Sequence, residues 1–204
     1  MKRININTQQ THFIGCWNLE NNKLCNEITN FFEKNKNLQK QGVTASGKNL
    51  KVKSRIDITV SPNDLKKPKF EILKQYVNEL HKCFLDYQNQ WPFLKSMIKD
   101  IDIGEFNIGE YSPGDHFAAI HSERTSLSTM HRLFAWMTYL NDVEDGGQTN
   151  FSHYGIKIKP EIGKTLIWPA EWTHAHTGEV LKSGKKYMIT GWMHFPAPDF
   201  KLEK

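Results

Sequence analysis

Two hydrophobic periods divide the chain. Between Asn22 and Lys36 the apolar residues Leu24, Ile28, Phe31 and Phe32 recur at three- and four-residue steps, which predicts an amphipathic helix. A longer helix is expected from about Lys69 to Gln88, where Ile72, Tyr76, Leu80 and Phe84 repeat at every fourth position. Trp91-Pro92 interrupts that pattern, because proline lacks the amide the next turn needs, and a short apolar turn follows to Ile98. From Ile101 onward the period falls to two. Strands are expected over 102–111, 116–121, 132–140, 149–152, 155–159, 165–169 and 186–195. Gly109, Pro113-Gly114, Asp145-Gly146-Gly147, Gly163 and Gly184 punctuate them. Ser54 to Val60, closed by Ser61-Pro62, reads as one more β-like piece. Short strands with turns this frequent favour an all-β jelly roll or closed barrel over βαβ units. The expected class is therefore mainly β with N-terminal helices (α+β). Residues 1–100 would form a helical support with a possible substrate loop, and 101–196 the β core of the same domain.

Composition narrows the class without redirecting it. The 204 residues suit one domain with a real core. Hydrophobic residues at 38% and charged ones at 24% exclude a disordered chain and a membrane-embedded one. The net charge of +5 comes from lysine, since Arg3, Arg55, Arg124 and Arg132 are the only arginines. The lysines are scattered rather than striped, so a solvated surface explains them better than a nucleic-acid interface. Cys16, Cys25 and Cys83 are odd in number and form no C-x-x-C pair, which argues against disulfides and thiolate zinc. Met1 to Thr11 is polar without an apolar signal region, and no apolar run approaches the ~20 residues of a membrane span. A cytoplasmic protein with reduced thiols is expected.

The chemistry concentrates in the β half, which holds His116, His121, His131, His153, His174, His176 and His194. A single histidine in a sheet is usually structural, so spacing must carry the case. His121 and Glu123 lie two apart near a strand end and leave the same face. They supply two thirds of a two-His-one-carboxylate triad, the arrangement that leaves open positions on non-haem Fe(II). The third ligand must come from a distant strand, and Thr173-His174-Ala175-His176 offers two candidates. On alternation Lys186, Met188, Thr190 and Trp192 share a face. An inward lysine beside Met and Trp needs an anion, whereas the opposite orientation would make it a plain surface charge. Gly163-Lys164-Thr165 imitates the end of a phosphate-binding loop, but Ile158 stands where the first glycine should be.

From Tyr111 to Phe195 the sequence resembles the prolyl 4-hydroxylase-like branch of the Fe(II)/2-oxoglutarate-dependent dioxygenase superfamily. The resemblance is carried by Tyr111-Ser112-Pro113-Gly114, Phe117 through His121-Ser122-Glu123, Arg132-Leu133-Phe134 and Tyr139-Leu140-Asn141-Asp142. It continues through Gly146-Gly147-Gln148-Thr149, Phe151, Pro160, Gly163, the His176–Lys186 span with Gly184 inside it, and Tyr187 to Trp192. These pieces cover about 85 residues in order.

The resemblance implies a double-stranded β-helix (a jelly roll, cupin-like) with helices packed outside. It implies His121, Glu123 and His176 as iron ligands and catalytic centre, the ten-residue step to Lys186 favouring His176 over His174. Lys186 matches the cation for the distal carboxylate of 2-oxoglutarate, and Tyr111 and Tyr139 match pocket tyrosines, although both could be core aromatics. Thr190 and Trp192 match pocket-wall positions. Glu123 departs from the family's commoner Asp and, being a methylene longer, must fold back, or its strand must shift, to hold a metal. The implied cofactors are Fe(II), 2-oxoglutarate, O2 and ascorbate as reductant. The implied reaction is hydroxylation of peptidyl proline in a peptide or protein, coupled to formation of succinate and CO2. A free amino acid, small molecule or nucleobase as substrate, and a non-catalytic jelly-roll metal-binding module, are the competing readings. Gln41 to Val60, with Lys51, Lys53, Ser54 and Arg55, could cover the site, with Gly42 and Gly47 as hinges.

Overall fold

The computed structural model describes residues 1–8, 10–43, 49 and 51–196. Helix α1 (Asn22–Lys34) opens where the Asn21 side chain accepts from the Leu24 amide, and it buries Leu24, Ile28, Phe31 and Phe32. Helix α2 (Glu71–Gln90) buries Tyr76, Leu80 and Phe84 of the expected repeat, while Leu73 is buried in place of Ile72, which is half-buried. The apolar turn after Trp91 is a short helix, α3 (Pro92–Met97), begun by the proline.

Thirteen strands follow the chain: β1 (Lys2–Arg3), β2 (Gly15–Asn18), β3 (Lys40–Gln41), β4 (Ile56–Val60), β5 (Asp102–Ile103), β6 (Phe106–Tyr111) and β7 (Phe117–His121). The rest are β8 (Arg132–Tyr139), β9 (Thr149–Phe151), β10 (Ile156–Ile158), β11 (Lys164–Pro169), β12 (His176–Gly178) and β13 (Lys186–His194). They form two sheets. The larger runs β1-β2-β11-β8-β13-β6-β4-β3, with β5 pairing β13; the smaller runs β10-β9-β12-β7. This is a mixed α/β fold whose two sheets resemble the double-stranded β-helix. It corrects the expected closed barrel, because each sheet keeps two edges and, among the described residues, no strand joins them into a ring. Strands β2 and β12 were not expected either.

Strands β2, β6, β8, β11 and β13 of the larger sheet divide their side chains between two cores. One face meets the helices: Ile58, Ile108, Trp136, Ile189 and Met193 pack with Ile28, Phe32, Tyr76, Leu80 and Phe84. The other face meets the smaller sheet, where Tyr111, Met137, Tyr139, Trp168 and Met188 pack with Phe151, Ile156 and Ile158. A buried hydroxyl relay from Tyr76 to Thr138 (2.7 Å) and on to Thr165 (2.7 Å) ties α2 to β8 and β11. Satisfied polar contacts of this kind fix register where apolar packing alone would let elements slide.

Gly191 sits in β13 opposite Trp136 of β8. A Cβ there would lie 2.6 Å from the Phe106 Cβ and 2.7 Å from the Trp136 ring. We expect Gly191→Ala to destabilise the fold by about 1–3 kcal/mol through overpacking. A urea midpoint equal to that of the wild type would contradict this packing.

Candidate active site

The smaller sheet brings the two imidazoles together. Strands β7 and β12 pair antiparallel with His121 directly opposite His176, so one ladder rung places both rings side by side, 4.3 Å between centroids. Each ring is oriented by its own strand. His121 Nδ1 lies 2.9 Å from the Ala119 carbonyl and His176 Nδ1 3.0 Å from the His174 carbonyl. Carbonyls only accept, so both Nδ1 atoms carry the proton and both Nε2 lone pairs face the gap between the sheets. Phe117 stacks on His121 at 3.8 Å, and Phe151 and Trp168 enclose His176. Burial, reinforced by His121, pushes the His176 imidazole down to about 4, so it stays neutral, as a metal ligand must.

Glu123 lies just past the end of β7, where the amides of Glu123 and Arg124 donate to the Ala170 carbonyl after β11. Its Oε1 is 3.8 Å from His121 Nε2 and 3.5 Å from His176 Nε2. One donor atom from each of the three residues falls within 4.8 Å of the others. Ligands about 2 Å from a shared ion at right angles stand roughly 3 Å apart, so the spacing fits a metal with small adjustment. Two neutral imidazoles and one carboxylate are the donor set of a non-haem Fe(II) facial triad.

The extra methylene of Glu123 is managed by two neighbours. Trp192 Nε1 donates to Glu123 Oε2 at 2.6 Å, which leaves Oε1 toward the histidines. The Arg132 guanidinium stacks on that indole, 3.7 Å from its ring centroid, and donates to the Glu123 carbonyl at 3.1 Å. Arg132 is therefore a site residue that sequence reasoning missed; it was visible only as a component of a motif. Trp192, expected as a pocket wall, is also a direct partner of the carboxylate.

His174 is turned elsewhere. Its Nε2 donates to the His12 carbonyl at 2.8 Å and its Nδ1 meets the Thr173 hydroxyl at 3.0 Å.

Lys186 is 2% exposed, which excludes the surface-charge reading of this residue. It pairs with Tyr111 across β13 and β6, and its ammonium lies 4.0 Å from the Tyr111 ring centroid. The ammonium donates to the Gly147 carbonyl at 2.9 Å. Gly147 has φ +68°, and a Cβ there would come within 3.1 Å of the lysine Cδ, so glycine is needed for the approach. Among the described residues no carboxylate pairs with Lys186. Burial, and then the charge of Arg55, push its ammonium down to about 7. A buried cation with one neutral hydrogen-bond partner would be stabilised by an anion placed beside it. Tyr139 stands on the same face, its hydroxyl 2.6 Å from that of Thr149, a buried residue that was quoted in a motif but given no role. Thr190 shares the face too, and its hydroxyl donates to the Trp136 carbonyl within the sheet.

Residues 106–194 match the 2OG-Fe(II) oxygenase superfamily. That match spans 89 of the 204 residues, and over it the chain is similar to that superfamily. It is 23% identical over 116 residues to prolyl 4-hydroxylase subunit alpha-1 of Homo sapiens, a match covering 52% of this chain and 22% of the relative. The chain thus spans about a fifth of the length of the curated relatives it matches. Its fold is similar to a Pseudomonas putida prolyl-4-hydroxylase, with TM-score 0.68 and 18% identity over 92% of this chain and 95% of the other. It is also similar to the viral collagen prolyl hydroxylase of Paramecium bursaria Chlorella virus-1 in complex with 2OG, with TM-score 0.65 and 18% identity over 91% and 97%. This similarity and the triad support a 2-oxoglutarate-dependent oxygenase-like enzyme. No helix among the described residues is long and apolar enough to cross a membrane.

Removing the indole donor should free Glu123 to rotate. We expect Trp192→Phe to weaken Mn(II) binding roughly 10- to 100-fold, the usual cost of losing a partner that orients a ligand. Titration calorimetry reads this directly, and unchanged affinity would show that Glu123 needs no such support.

Proposed function

We propose that the chain is an Fe(II)- and 2-oxoglutarate-dependent hydroxylase acting on peptidyl proline. The observation that carries this reading is the buried, carboxylate-free Lys186 on the inter-sheet face that also carries the donors around His121, Glu123 and His176. His121, Glu123 and His176 would hold the iron. Lys186 would meet the distal carboxylate of 2-oxoglutarate, with Tyr111, Tyr139, Thr190 and Trp192 forming the pocket. When bound, the iron couples oxidative decarboxylation of 2-oxoglutarate to succinate and CO2 with insertion of one oxygen atom from O2 into a substrate C–H bond.

The chain's own residues contribute binding, orientation and exclusion of water. Phe151, Trp168 and Met188 pack between the sheets, and in such apolar surroundings the attraction between Lys186 and a carboxylate would be little screened. The names of the relatives support proline as the target, and ascorbate is the reductant we assign. We read residues 1–204 as one oxygenase domain with its core in 101–196. Of the covering segment expected over 41–60, residues 44–48 and 50, including the hinge candidate Gly47, lie outside the described residues. The described part runs along the site: the Ser54 amide donates to the His116 carbonyl at 2.9 Å, directly ahead of β7.

Anaerobic addition of Fe(II) and 2-oxoglutarate should produce the visible charge-transfer band of a chelated keto acid. Glu123→Ala and Lys186→Ala should each weaken it, and proline-containing peptides should then raise succinate release. A folded, metal-bound protein without the band would overturn the oxygenase reading.

The depressed Lys186 gives a second test. Above about pH 7 the free pocket holds a neutral amine, whereas a bound carboxylate keeps it protonated. Binding of 2-oxoglutarate therefore takes up a proton in that range, and affinity falls as pH climbs from about 7 toward the ordinary lysine value. Calorimetry in two buffers of different protonation enthalpy counts that proton, and Lys186→Met should abolish it.

A further inference from the structure

Residues ahead of the segment matched to the superfamily reach into the same pocket. Arg55, 4% exposed, precedes β4 and turns toward the inter-sheet face. Its Nη1 donates to the Tyr111 hydroxyl at 2.9 Å, and its Nε stands 2.6 Å from Asp57 Oδ1. The guanidinium carbon lies 5.4 Å from the centroid of the same Tyr111 ring that the Lys186 ammonium approaches to 4.0 Å. Asp57 is shared, because the Lys53 ammonium lies 3.0 Å from its Oδ2. Among the described residues, then, three buried cations (Lys53, Arg55 and Lys186) surround Tyr111 and Asp57 with one carboxylate between them. The excess charge is costly in the free protein and favourable once an anion arrives.

The Tyr111 hydroxyl is also committed by this contact. A phenol has one proton and accepts through its lone pairs. With Arg55 donating to the oxygen, the proton is left to point away from the guanidinium as a donor. A guanidinium cannot deprotonate at ordinary pH, so the polarity of this contact is fixed in a way that a neutral partner would not fix it.

We propose that Arg55 is a positioning residue for the co-substrate: it fixes Tyr111 as a hydrogen-bond donor and adds a second positive charge beside Lys186. The pocket thereby selects 2-oxo acids with a distal carboxylate over those that end in a methyl group. Asp57 acts as the hinge of the arrangement, holding Arg55 through one oxygen and Lys53 through the other. Lys53 in turn donates to the Val43 carbonyl at 3.0 Å. This inference rests on the proposed use of 2-oxoglutarate.

The test compares two ligands on the full chain loaded with Mn(II). 2-Oxoglutarate and 2-oxopentanoate share the keto acid end and differ at the distal carboxylate, and their affinities are read by calorimetry. The wild type should prefer 2-oxoglutarate. Arg55→Met should weaken 2-oxoglutarate about tenfold while leaving 2-oxopentanoate within about twofold, a loss in line with one charge-assisted contact. Tyr111→Phe should lose a similar amount, and the double variant little more than either. Wild-type preference retained in Arg55→Met, or equal weakening of both acids, would overturn the assignment in favour of a scaffold role. Should Arg55→Met fail to fold, Arg55→Lys decides: lysine cannot span Asp57 and Tyr111 together, so undiminished preference in that variant also overturns it. A wild type that binds both acids equally removes the Lys186 pocket itself, and with it the proposed function. That result is distinct from failure at Arg55 alone.

Discussion

An ammonium group buried between two sheets, with a backbone carbonyl for its partner, constrains everything around it. Lys186 occupies the first position of β13, the strand whose two faces serve different cores. Its odd-numbered side chains face the helices, and its even-numbered ones line the space between the sheets. A shift of one residue in that strand would drive Ile189 and Met193 into the polar gap and the lysine into the helix interface. The apolar helix packing therefore sets the register that aims the cation. Gly147 completes the aim from the opposite side by letting its carbonyl approach where any side chain would obstruct.

The triad depends on a different pairing. The rung that sets His121 opposite His176 belongs to the smaller sheet, while Trp192, which holds Glu123, belongs to the larger. The site is thus assembled across the gap, and its geometry reports on how the two sheets sit against each other.

Much of this was legible in the sequence where one face of an element is apolar and the other is not. The alternation in 186–192 placed Lys186, Met188, Thr190 and Trp192 on one face, and the fourfold repeat of α2 located its buried stripe. Legibility failed where burial is two-sided or the element is short. Gly15, Cys16 and Trp17 of β2 are all buried, so no alternation marks the strand, and the three residues of β12 are too few to show a period. Whether the sheets close into a barrel depends on which strands end as edges, and alternation carries no record of that. Among site residues, Lys53 and Arg55 stand out only within a possible covering segment and Arg132 only within a motif, because nothing local marks a lone cation as buried. The contact between His174 and the His12 carbonyl spans most of the chain, and no local spacing signals it.

Strand β2 has a consequence for how the molecule forms. It pairs residues 15–18 with residues 164–167, so an early stretch of chain completes the larger sheet only after a late one is in place. Ring-closing pairings of this length come slowly, because the loop entropy is lost before the contacts repay it. Until then β11 ends the sheet with bare amides and carbonyls, an edge open to strands of other molecules. The N-terminal arm thus acts as a late-arriving clasp, and intermediates that lack it carry the aggregation hazard that the finished fold has sealed.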